Sequence, residues 1–267
     1  MSSGLPEYEL YALRYAHREA RRSDHFVGGD PHDGPMPMDY FVWVIRGDGR
    51  VVVVDCGFGA EVAARRGRTL LRTVAEALAL IDVDPATVAD LVLTHLHYDH
   101  VGNLDLFPAA RLHLQEQELH FAVGRHMRHP FLQVVFEVED VVGLVRLNYA
   151  GRVDLHRGVV ELYPGITLLP APGHSAGLQF VQVNTARGMV ALASDATHFY
   201  ENIDSGRPFS VVISTAETLE SYGLVRAAAA SPDHIIPGHD PLVMRRYPPP
   251  SAALTGIAAR LDLPPSG

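Results

Sequence analysis

Short apolar runs that end in glycine, aspartate or histidine recur along the chain and predict a protein rich in β-strands. Tyr8–Tyr15 alternates apolar and polar positions, as a strand with one buried face does. Tyr40–Arg46 and Arg50–Asp55 are separated by Gly47-Asp48-Gly49, a sequence typical of a hairpin turn. Val51–Val54 is apolar without alternation, so we predict a strand that is buried on both faces.

Strand and helix patterns then interleave as far as the C-terminus. Further strands are predicted at Leu91–Thr94, Ala110–Leu114, Val159–Tyr163, Ile166–Leu169, Leu178–Asn184, Met189–Ala193 and His234–Ile236. Helical periodicity is seen in Thr69–Ile81, after the Asp84-Pro85 start signal, at Gln115–Phe121 and in Thr215–Ala230. No internal repeat and no linker divides the chain, so we expect a single domain over residues 1–267.

Two segments interrupt this pattern. Residues 17–39 are polar and rich in glycine and proline, and a loop of this length in a compact domain is usually functional or disordered. Residues 120–150 are partly apolar with helical character, and we interpret them as a lid-like insertion over a site. The two segments contain apolar side chains suited to the walls of a substrate pocket, namely Phe26, Met36, Met38, Phe121, Met127 and Phe131.

Composition narrows the function. A net charge of −9, from 22 basic and 31 acidic residues, disfavours a large nucleic-acid or anionic-membrane surface. Cys56 is the single cysteine, so an intrachain disulfide cannot form, and a reducing, cytoplasmic setting is expected. The first seven residues lack the basic and apolar regions of a signal peptide, and no apolar stretch reaches the roughly 18 residues of a membrane span.

The candidate chemistry centres on His95-Leu96-His97-Tyr98-Asp99-His100, which follows the predicted strand at Leu91–Thr94. If the chain stays extended, His95 and His97 point to the same side, because side-chain direction repeats every two residues. Asp99 and His100 then lie in the following turn. Such a cluster can supply nitrogen ligands to one metal ion and an oxygen and a nitrogen to a neighbouring one.

Three later strands each end in a small residue beside a histidine or aspartate: Gly173-His174, Ser194-Asp195 and Gly238-His239. Loops at strand ends are where rigid scaffolds place catalytic groups. Together with the cluster at residues 95–100, these residues complete two sets of metal ligands. Asp55, at the end of another strand, is expected to orient a ligand histidine from outside the metal sphere.

In this order and spacing, His95-x-His97-x-Asp99-His100, His174, Asp195 and His239 resemble the metallo-β-lactamase-fold hydrolases. The resemblance covers essentially the whole chain and implies an α/β (α+β) fold, a four-layer αββα sandwich with the metals at one edge. It implies one zinc bound by His95, His97 and His174 and a second bound by Asp99, His100 and His239, with Asp195 bridging both. Iron, manganese or cobalt can replace zinc, because histidine and aspartate ligands select weakly among these ions.

Within that superfamily, Thr94–Asn103 and Ala171–Gly177 are most similar to the N-acyl homoserine lactonase group. This resemblance implies a hydrolase that opens a lactone or related ester by attack of a metal-bridging hydroxide, with Asp99 carrying a proton to the leaving group. It also implies a small-molecule substrate and is compatible with a homodimer. Where lactonases of the group carry a tyrosine at the substrate carbonyl, this chain has His198, and Tyr200 lies two residues further on.

Several other functions stay open at this point. A thioesterase of the glyoxalase II type would need a basic patch for glutathione, and a phosphodiesterase is disfavoured by the acidic net charge. Asp195 disfavours a β-lactamase. A non-hydrolytic di-iron redox protein would keep similar ligands but would need a flavin partner domain.

Overall fold

Two mixed β-sheets are the framework of the computed structural model, which describes residues 4–266. Residues 1–3, which entered the expectation that no signal peptide is present, and Gly267 lie outside this range. The larger sheet is built from β1 (Glu9–Arg18), β2 (Met38–Gly47), β3 (Arg50–Val54), β4 (Thr69–Leu70), β5 (Asp90–Val92), β6 (Arg111–Gln115), β7 (Val153–His156) and β13 (Ala258–Arg260). The smaller one contains β8 (Val160–Tyr163), β9 (Ile166–Pro170), β10 (Gln179–Thr185), β11 (Gly188–Ser194) and β12 (Ile235–Pro237).

Helices connect the strands, and some of them cover the outer faces of the sheets. They are α1 (Ala60–Arg66), α2 (Val74–Ala79), α3 (Tyr98–Val101), α4 (Glu116–Ala122), α5 (Pro130–Gln133), α6 (Val138–Tyr149), α7 (Tyr200–Ser205), α8 (Thr215–Ala228) and α9 (Leu242–Arg246). Among residues 4–266, no helix combines the length and the apolar character needed to cross a membrane.

The core consists of three apolar layers. The middle layer joins the sheets, with Trp43 and Val54 of the larger sheet packed among residues such as Leu168 and Val181 of the smaller one. A second layer lies between the larger sheet and α1, α2 and α6, and a third lies between the smaller sheet and α8. The apolar run Val51–Val54 predicts a strand buried on both faces, and β3 lies between two of these layers. The predicted four-layer αββα sandwich is therefore confirmed.

Strand direction brings one group of loops to the same edge of the sandwich. In the larger sheet, the order is β13-β1-β2-β3-β5-β6-β7, and β3, β5, β6 and β7 run parallel. In the smaller sheet, the order is β12-β11-β10-β9-β8, and β11 and β12 are parallel. Because the carboxyl ends of parallel strands meet at one edge of a sheet, the segments after β3, β5, β11 and β12 converge there.

Some predicted elements differ from the observed ones. The helix expected over Thr69–Ile81 begins only after Thr73, whose side chain caps α2 by accepting from the Glu76 amide, while Thr69–Leu70 pairs with β1. Asp84 caps a single 3-10 turn rather than a longer helix. The strand expected at Leu91–Thr94 ends at Val92. The tail after Tyr247 is rich in proline, which predicts a surface-packed or loose terminus, yet it includes β13 paired with β1.

Candidate metal centre

The seven histidines and aspartates predicted as ligands come together in one buried cluster at that edge of the sandwich. None of them exposes more than 7% of its surface. Each is at, or just beyond, the end of a strand or in the first turn of α3: His95, His97, Asp99, His100, His174, Asp195 and His239. Burial of so many ionisable groups without an ion would be unfavourable, because charged groups in a protein interior need a partner.

Asp195 lies between two groups of ligand atoms. Its Oδ2 atom is 3.2 Å from Nε2 of His174 and 3.8 Å from Nε2 of His95. Its Oδ1 atom is 3.1 Å from Nε2 of His239 and 3.4 Å from Nε2 of His100. Oδ2 is also 3.3 Å from Nε2 of His239, so the carboxylate lies between the two groups and contacts both, where it could bridge two ions.

The first group consists of His95, His97 and His174. Nδ1 of His97 lies 2.9 Å from Nε2 of His174, and the three residues can each offer a nitrogen within 4.8 Å of the others. Three imidazole nitrogens at this separation form a donor set suited to zinc, cobalt or iron.

The second group consists of Asp99, His100 and His239. Oδ1 of Asp99 is 3.7 Å from Nε2 of His100, and Oδ2 is 3.6 Å from Nε2 of His239. Asp99 and His100 lie in the turn after His97, as predicted, and this turn is the single helical turn α3. One oxygen and two nitrogens are available here for a second ion.

The residues fit a pair of metal ions. Nε2 of His95, Nε2 of His100 and Oδ1 of Asp195 are buried and have no hydrogen-bond partner among the described residues. Protein atoms that bind the same ion at about 2.0–2.2 Å stand roughly 3–3.5 Å apart, which is close to the separations within each group. The unpaired atoms and the spacing are both explained if an ion binds each group.

Neighbouring side chains fix which nitrogen of each histidine faces the cluster. Nδ1 of His100 donates to Oδ2 of Asp55 across 2.7 Å, and Nδ1 of His239 donates to the carbonyl oxygen of Asp39 across 2.8 Å. Nδ1 of His95 is 3.1 Å from the Thr94 hydroxyl, which itself donates to Asp55. Nε2 of each of the three histidines is thereby left for a metal, and the predicted orienting role of Asp55 falls on His100.

Asp55 itself adopts a left-handed backbone conformation, with φ of 62°. This conformation is uncommon for residues other than glycine, although aspartate tolerates it better than most. Three short contacts hold the carboxylate in place: the Thr94 amide, the Thr94 hydroxyl and His100, each at 2.7 Å. Several partners thus stabilise a backbone geometry that is costly in isolation.

Two glycines allow the ligand loops to approach one another. A Cβ atom on Gly238 would stand 2.6 Å from Oδ1 of Asp195, closer than real Cβ contacts allow. Gly173 precedes His174 with φ of 131°, and a Cβ there would lie 2.4 Å from the Thr218 amide nitrogen. The small residues beside the ligands are therefore required by contacts between protein segments.

A buried glutamate joins two ligand loops and was not indicated by the sequence. Oε1 of Glu118 accepts from the Leu96 amide at 3.0 Å, and Oε2 accepts from the Gly177 amide at 2.7 Å. Burial raises the pKa of Glu118. Glu118 belongs to the polar start of α4, Glu116-Gln117-Glu118. The sequence pattern there does not show which of the two glutamates is buried.

The electrostatics differ between the two groups. Burial holds the pKa of His95 and His97 well below the usual histidine range. Burial alone would also lower the pKa of His100 and His239, but the carboxylate of Asp195, aided by Asp99, raises both. Without an ion, His95 and His97 therefore favour the neutral imidazole. The second attracts positive charge, whether as protons or as a metal ion.

His198 faces the cluster. Its Nε2 atom is 2.9 Å from Oδ2 of Asp195 but lacks hydrogen-bond geometry, and both ring nitrogens are buried without a hydrogen-bond partner among the described residues. The ring stacks on Phe209, with centroids 3.5 Å apart and planes at 19°. Burial lowers the pKa of His198 well below its usual range, so that the neutral ring is favoured.

Tyr200 does not reach the site. Its ring is packed in the apolar layer between the sheets beside Val243 and Tyr247, with the Arg246 guanidinium 4.4 Å from the ring centroid. It is not among the residues that line the cavity at the metal ligands. Tyr200 is the first residue of α7, and the turn of the chain between His198 and α7 directs the two side chains to different layers.

Two adjoining cavities open onto the ligand cluster. One, of about 210 Å³, is lined by His97, Asp99 and His198 together with Met38, Tyr40 and Arg68. The other, of about 170 Å³, is apolar and shares His97 and His174 with the first; Phe121, Phe131, Leu132, Phe136, Val212 and Ile213 line it. Parts of both segments that the sequence predicts to cover the site, residues 17–39 and 120–150, thus form cavity walls.

A third wall comes from Phe209–Ile213, between α7 and α8. Sequence reasoning missed it, although the apolar run Phe209-Ser210-Val211-Val212-Ile213 after Pro208 is a visible signal. Phe26 is buried but lines neither cavity. His25, also buried, stacks on Phe209 and packs against Phe199 at a tilt, and so supports this third wall.

Comparisons with known proteins point to one family. Residues 36–239 match the model of the Metallo-beta-lactamase superfamily. An N-acyl homoserine lactonase of Bacillus cereus is 30% identical over 134 residues, which cover 50% of this chain and 48% of the lactonase. A probable metallo-hydrolase of Mycobacterium tuberculosis is 26% identical over 199 residues, covering 68% of this chain and 64% of the relative. The matched region thus spans about half to two thirds of these relatives.

Solved structures share the fold. A quorum-quenching N-acyl homoserine lactone lactonase superposes with a TM-score of 0.73 at 20% identity, covering 90% of this chain and 94% of the lactonase. AidC, a dizinc quorum-quenching lactonase solved with a product, superposes with a TM-score of 0.69 at 17% identity, covering 89% of each chain. At these identities the likeness establishes the architecture.

Proposed function

Because the chain belongs to the metallo-beta-lactamase superfamily, we propose that it is a dinuclear metal-dependent hydrolase that opens a lactone or related carboxylic ester. The observation that carries the proposal is the position of Asp195, whose carboxylate lies between two ligand groups with its oxygens 3.1–3.8 Å from histidine nitrogens of both, in a buried cluster beside a cavity. The lactonase names among the relatives support the same reaction class.

Zinc is the metal we propose, with iron, manganese or cobalt as substitutes. The donor set of five histidines and two aspartates suits all four ions, and AidC is described as a dizinc enzyme. When bound, the pair of ions supplies a water that is acidic enough to deprotonate near neutral pH and polarises the substrate carbonyl.

The side chains of this chain position and protonate the reactants. Asp99 lies in the wall of the cavity and belongs to the second ligand group, so its carboxylate can pass a proton to the departing alkoxide. His198, neutral and without a hydrogen-bond partner among the described residues, can donate an N–H to the carbonyl oxygen as negative charge develops there. Phe209 holds the His198 ring by stacking.

The substrate class is proposed from the cavity walls. Phe121, Phe136 and Val212 form an apolar surface beside His97 and His174, which suits an acyl or aromatic group. N-acyl homoserine lactones carry such an acyl group, and the Bacillus cereus relative is named as a lactonase for them. We therefore propose them as candidate substrates, together with aromatic lactones.

A hydrolysis panel tests this proposal. Zinc-loaded protein is assayed on short- and long-chain acyl homoserine lactones, an aromatic lactone, an acyl thioester, a cephalosporin and a phosphodiester. The proposal expects the lactones to be hydrolysed with the highest kcat/KM. Preferential hydrolysis of the thioester or the phosphodiester would contradict it and would support the corresponding branch of the superfamily.

The same panel tests His198. The His198→Phe variant keeps a ring against Phe209 but removes both nitrogens, so kcat should fall roughly 10²–10³-fold while the metal content is unchanged. Tyr200→Phe is the matched control, since the Tyr200 ring lies outside the cavity walls. An unchanged kcat in His198→Phe would exclude the role at the carbonyl.

The homodimer and the cytoplasmic location stay predictions, to be tested by light scattering and by cell fractionation.

A further inference from the structure

One wall of the metal cavity carries a cation that the proposed chemistry does not use. Arg68 lines the cavity together with His97, Asp99 and His198. Much of the remaining wall is apolar and includes Met38, Val134, Val135, Phe209 and Val211. A guanidinium in such surroundings interacts more strongly with an anion than it would in open solvent.

Arg68 is held in position by the protein. Its Nε atom donates to the Tyr98 hydroxyl at 3.0 Å, and Nη1 donates to the Arg66 carbonyl at 2.6 Å. Its backbone amide bonds to the Ala63 carbonyl at 2.8 Å, at the end of α1. Nη2 has no hydrogen-bond partner among residues 4–266, and no carboxylate there lies within 4 Å of the Arg68 guanidinium. A preorganised donor of this kind loses little entropy when it binds a ligand.

Two other arginines at the same cavity have a carboxylate within 4 Å, which distinguishes them from Arg68. Arg66 is bonded to the Glu137 carboxylate at 2.7 Å. Arg18, which also lines the cavity, has its Nη2 atom 3.6 Å from Oδ2 of Asp24. The charges of Arg66 and Arg18 are thus each offset by a carboxylate within 4 Å, whereas the Arg68 guanidinium has no such carboxylate among residues 4–266.

We propose that Arg68 is a specificity-determining residue that binds a carboxylate carried by the substrate, in addition to the ester that is cleaved. Cleavage of such a substrate rests on the proposed hydrolase function, whereas binding of its carboxylate by Arg68 does not. The substrate class is then an ester or lactone with an apolar group for the cavity at Phe121 and Phe136 and a carboxylate for Arg68. Guanidinium–carboxylate pairing is among the stronger hydrogen-bonded pairings in proteins, particularly away from bulk water.

Matched esters test the catalytic consequence. One pair, 4-(hexanoyloxy)benzoate and 4-(hexanoyloxy)benzamide, differs by a carboxylate on the alcohol side. A second pair, the 4-nitrophenyl esters of adipic acid and adipic monoamide, differs by a carboxylate on the acyl side. In at least one pair, the wild-type enzyme should show a roughly tenfold higher kcat/KM for the carboxylate, arising mainly in KM.

Arg68 variants assign that preference. Arg68→Gln should abolish it by lowering kcat/KM for the carboxylate far more than for the neutral amide, and Arg68→Lys should retain part of it. Arg111→Gln is the matched control, because Arg111 pairs with Asp154 at the beginning of β6, away from the metal edge. Equal losses on both members of a pair in Arg68→Gln would overturn the proposal and indicate a purely structural role.

Equilibrium binding separates this inference from the proposed function. Adipate and hexanoate have the same chain length, and each can place one carboxylate at the metals. In calorimetry with metal-loaded protein, adipate should bind roughly tenfold more tightly than hexanoate, and Arg68→Gln should remove the difference. If this holds while no ester is cleaved, the hydrolase proposal fails and the carboxylate site stands. If esters are cleaved without any carboxylate preference and adipate binds no more tightly, the carboxylate site fails.

Discussion

Oδ2 of Asp55 accepts a hydrogen bond from Nδ1 of His100 across 2.7 Å, and both side chains are completely or almost completely buried. This contact fixes the tautomer of His100, leaving Nε2 directed at Asp195 and the second metal position. The contact links the left-handed turn after β3 to α3, which carries Asp99 and His100. Asp55 thereby influences how tightly His100 binds a metal ion.

Asp55→Asn should weaken metal binding at the second site by roughly 10–100-fold. Asparagine has a single carbonyl oxygen to serve the Thr94 amide, the Thr94 hydroxyl and His100, which the carboxylate now satisfies together. Competition with a chromophoric chelator measures the change. Asp82→Asn is the control, because Asp82 has a similar φ of 58° but is exposed. Equal affinities in Asp55→Asn and wild type would contradict the orienting role.

Gly238→Ala should disturb the bridging carboxylate. The new methyl group would stand 2.6 Å from Oδ1 of Asp195 and 2.8 Å from the Ser194 backbone, so either the loop or the carboxylate must move. We expect the loss of at least one bound metal and a destabilisation of about 1–3 kcal/mol. Metal analysis and thermal unfolding measure both effects. Gly223→Ala in α8 has open space around it and should leave metal binding intact while raising stability slightly. Full metal content and unchanged stability in Gly238→Ala would contradict this prediction and show that the loop accommodates the methyl group.

The pH dependence of stability should respond to Asp140, at the beginning of α6. Burial and the nearby Glu137 carboxylate raise the pKa of Asp140 to about 6 from an ordinary value of 3.8. Because the folded-state pKa is the higher one, the contribution to stability is fully present below about pH 3.8 and is lost as the pH rises through about 6.

Asp140→Asn, which is neutral at every pH, should therefore be more stable than wild type at pH 8, by roughly 1 kcal/mol after solvent screening, and equal to it near pH 4. Denaturant unfolding at the two pH values measures this difference. Glu139→Gln, an exposed change in the same helical turn, should show no such gain. A gain that is the same at pH 4 and pH 8 would contradict the assignment.

Asp99→Asn tests the proton transfer. Asparagine keeps one oxygen toward the second ligand group but cannot carry a proton, so kcat should fall by roughly 10²–10⁴-fold. Metal analysis of the same sample separates lost chemistry from lost metal. Asp105→Asn, an exposed change close by in sequence, serves as the control. Hydrolysis at a near wild-type rate with both metals bound would rule out the proton-carrying role.

Local patterns predicted the fold well where they report burial directly. The hairpin at Gly47-Asp48-Gly49 and the unalternating Val51–Val54 strand are both present, because turn chemistry and two-sided burial leave a clear mark on composition. The helix expected over Thr69–Ile81 was partly wrong, since the Thr73 cap and the pairing of Leu70 with Ala16 override helical periodicity. A cap and a distant strand partner are tertiary facts that a local window does not contain.

The seven proposed ligands converge as the motif spacing implied, because each follows a strand whose end lies at the same edge. Glu118 and Arg68 were not predicted. Their importance depends on which segments lie opposite them, and nothing within their own sequence neighbourhoods specifies that. Tyr200 was predicted to assist at the carbonyl as an alternative to His198. It lies in another layer because α7 begins at Tyr200 and the chain turns between the two residues.

If two ions share Asp195, both should be needed for hydrolysis. The direct measurement is a zinc titration of chelator-treated protein with lactone hydrolysis followed at each addition. We expect negligible activity without metal and full activity only as the second equivalent per chain binds. Full activity at one equivalent, or activity that survives complete metal removal, would contradict the dinuclear account.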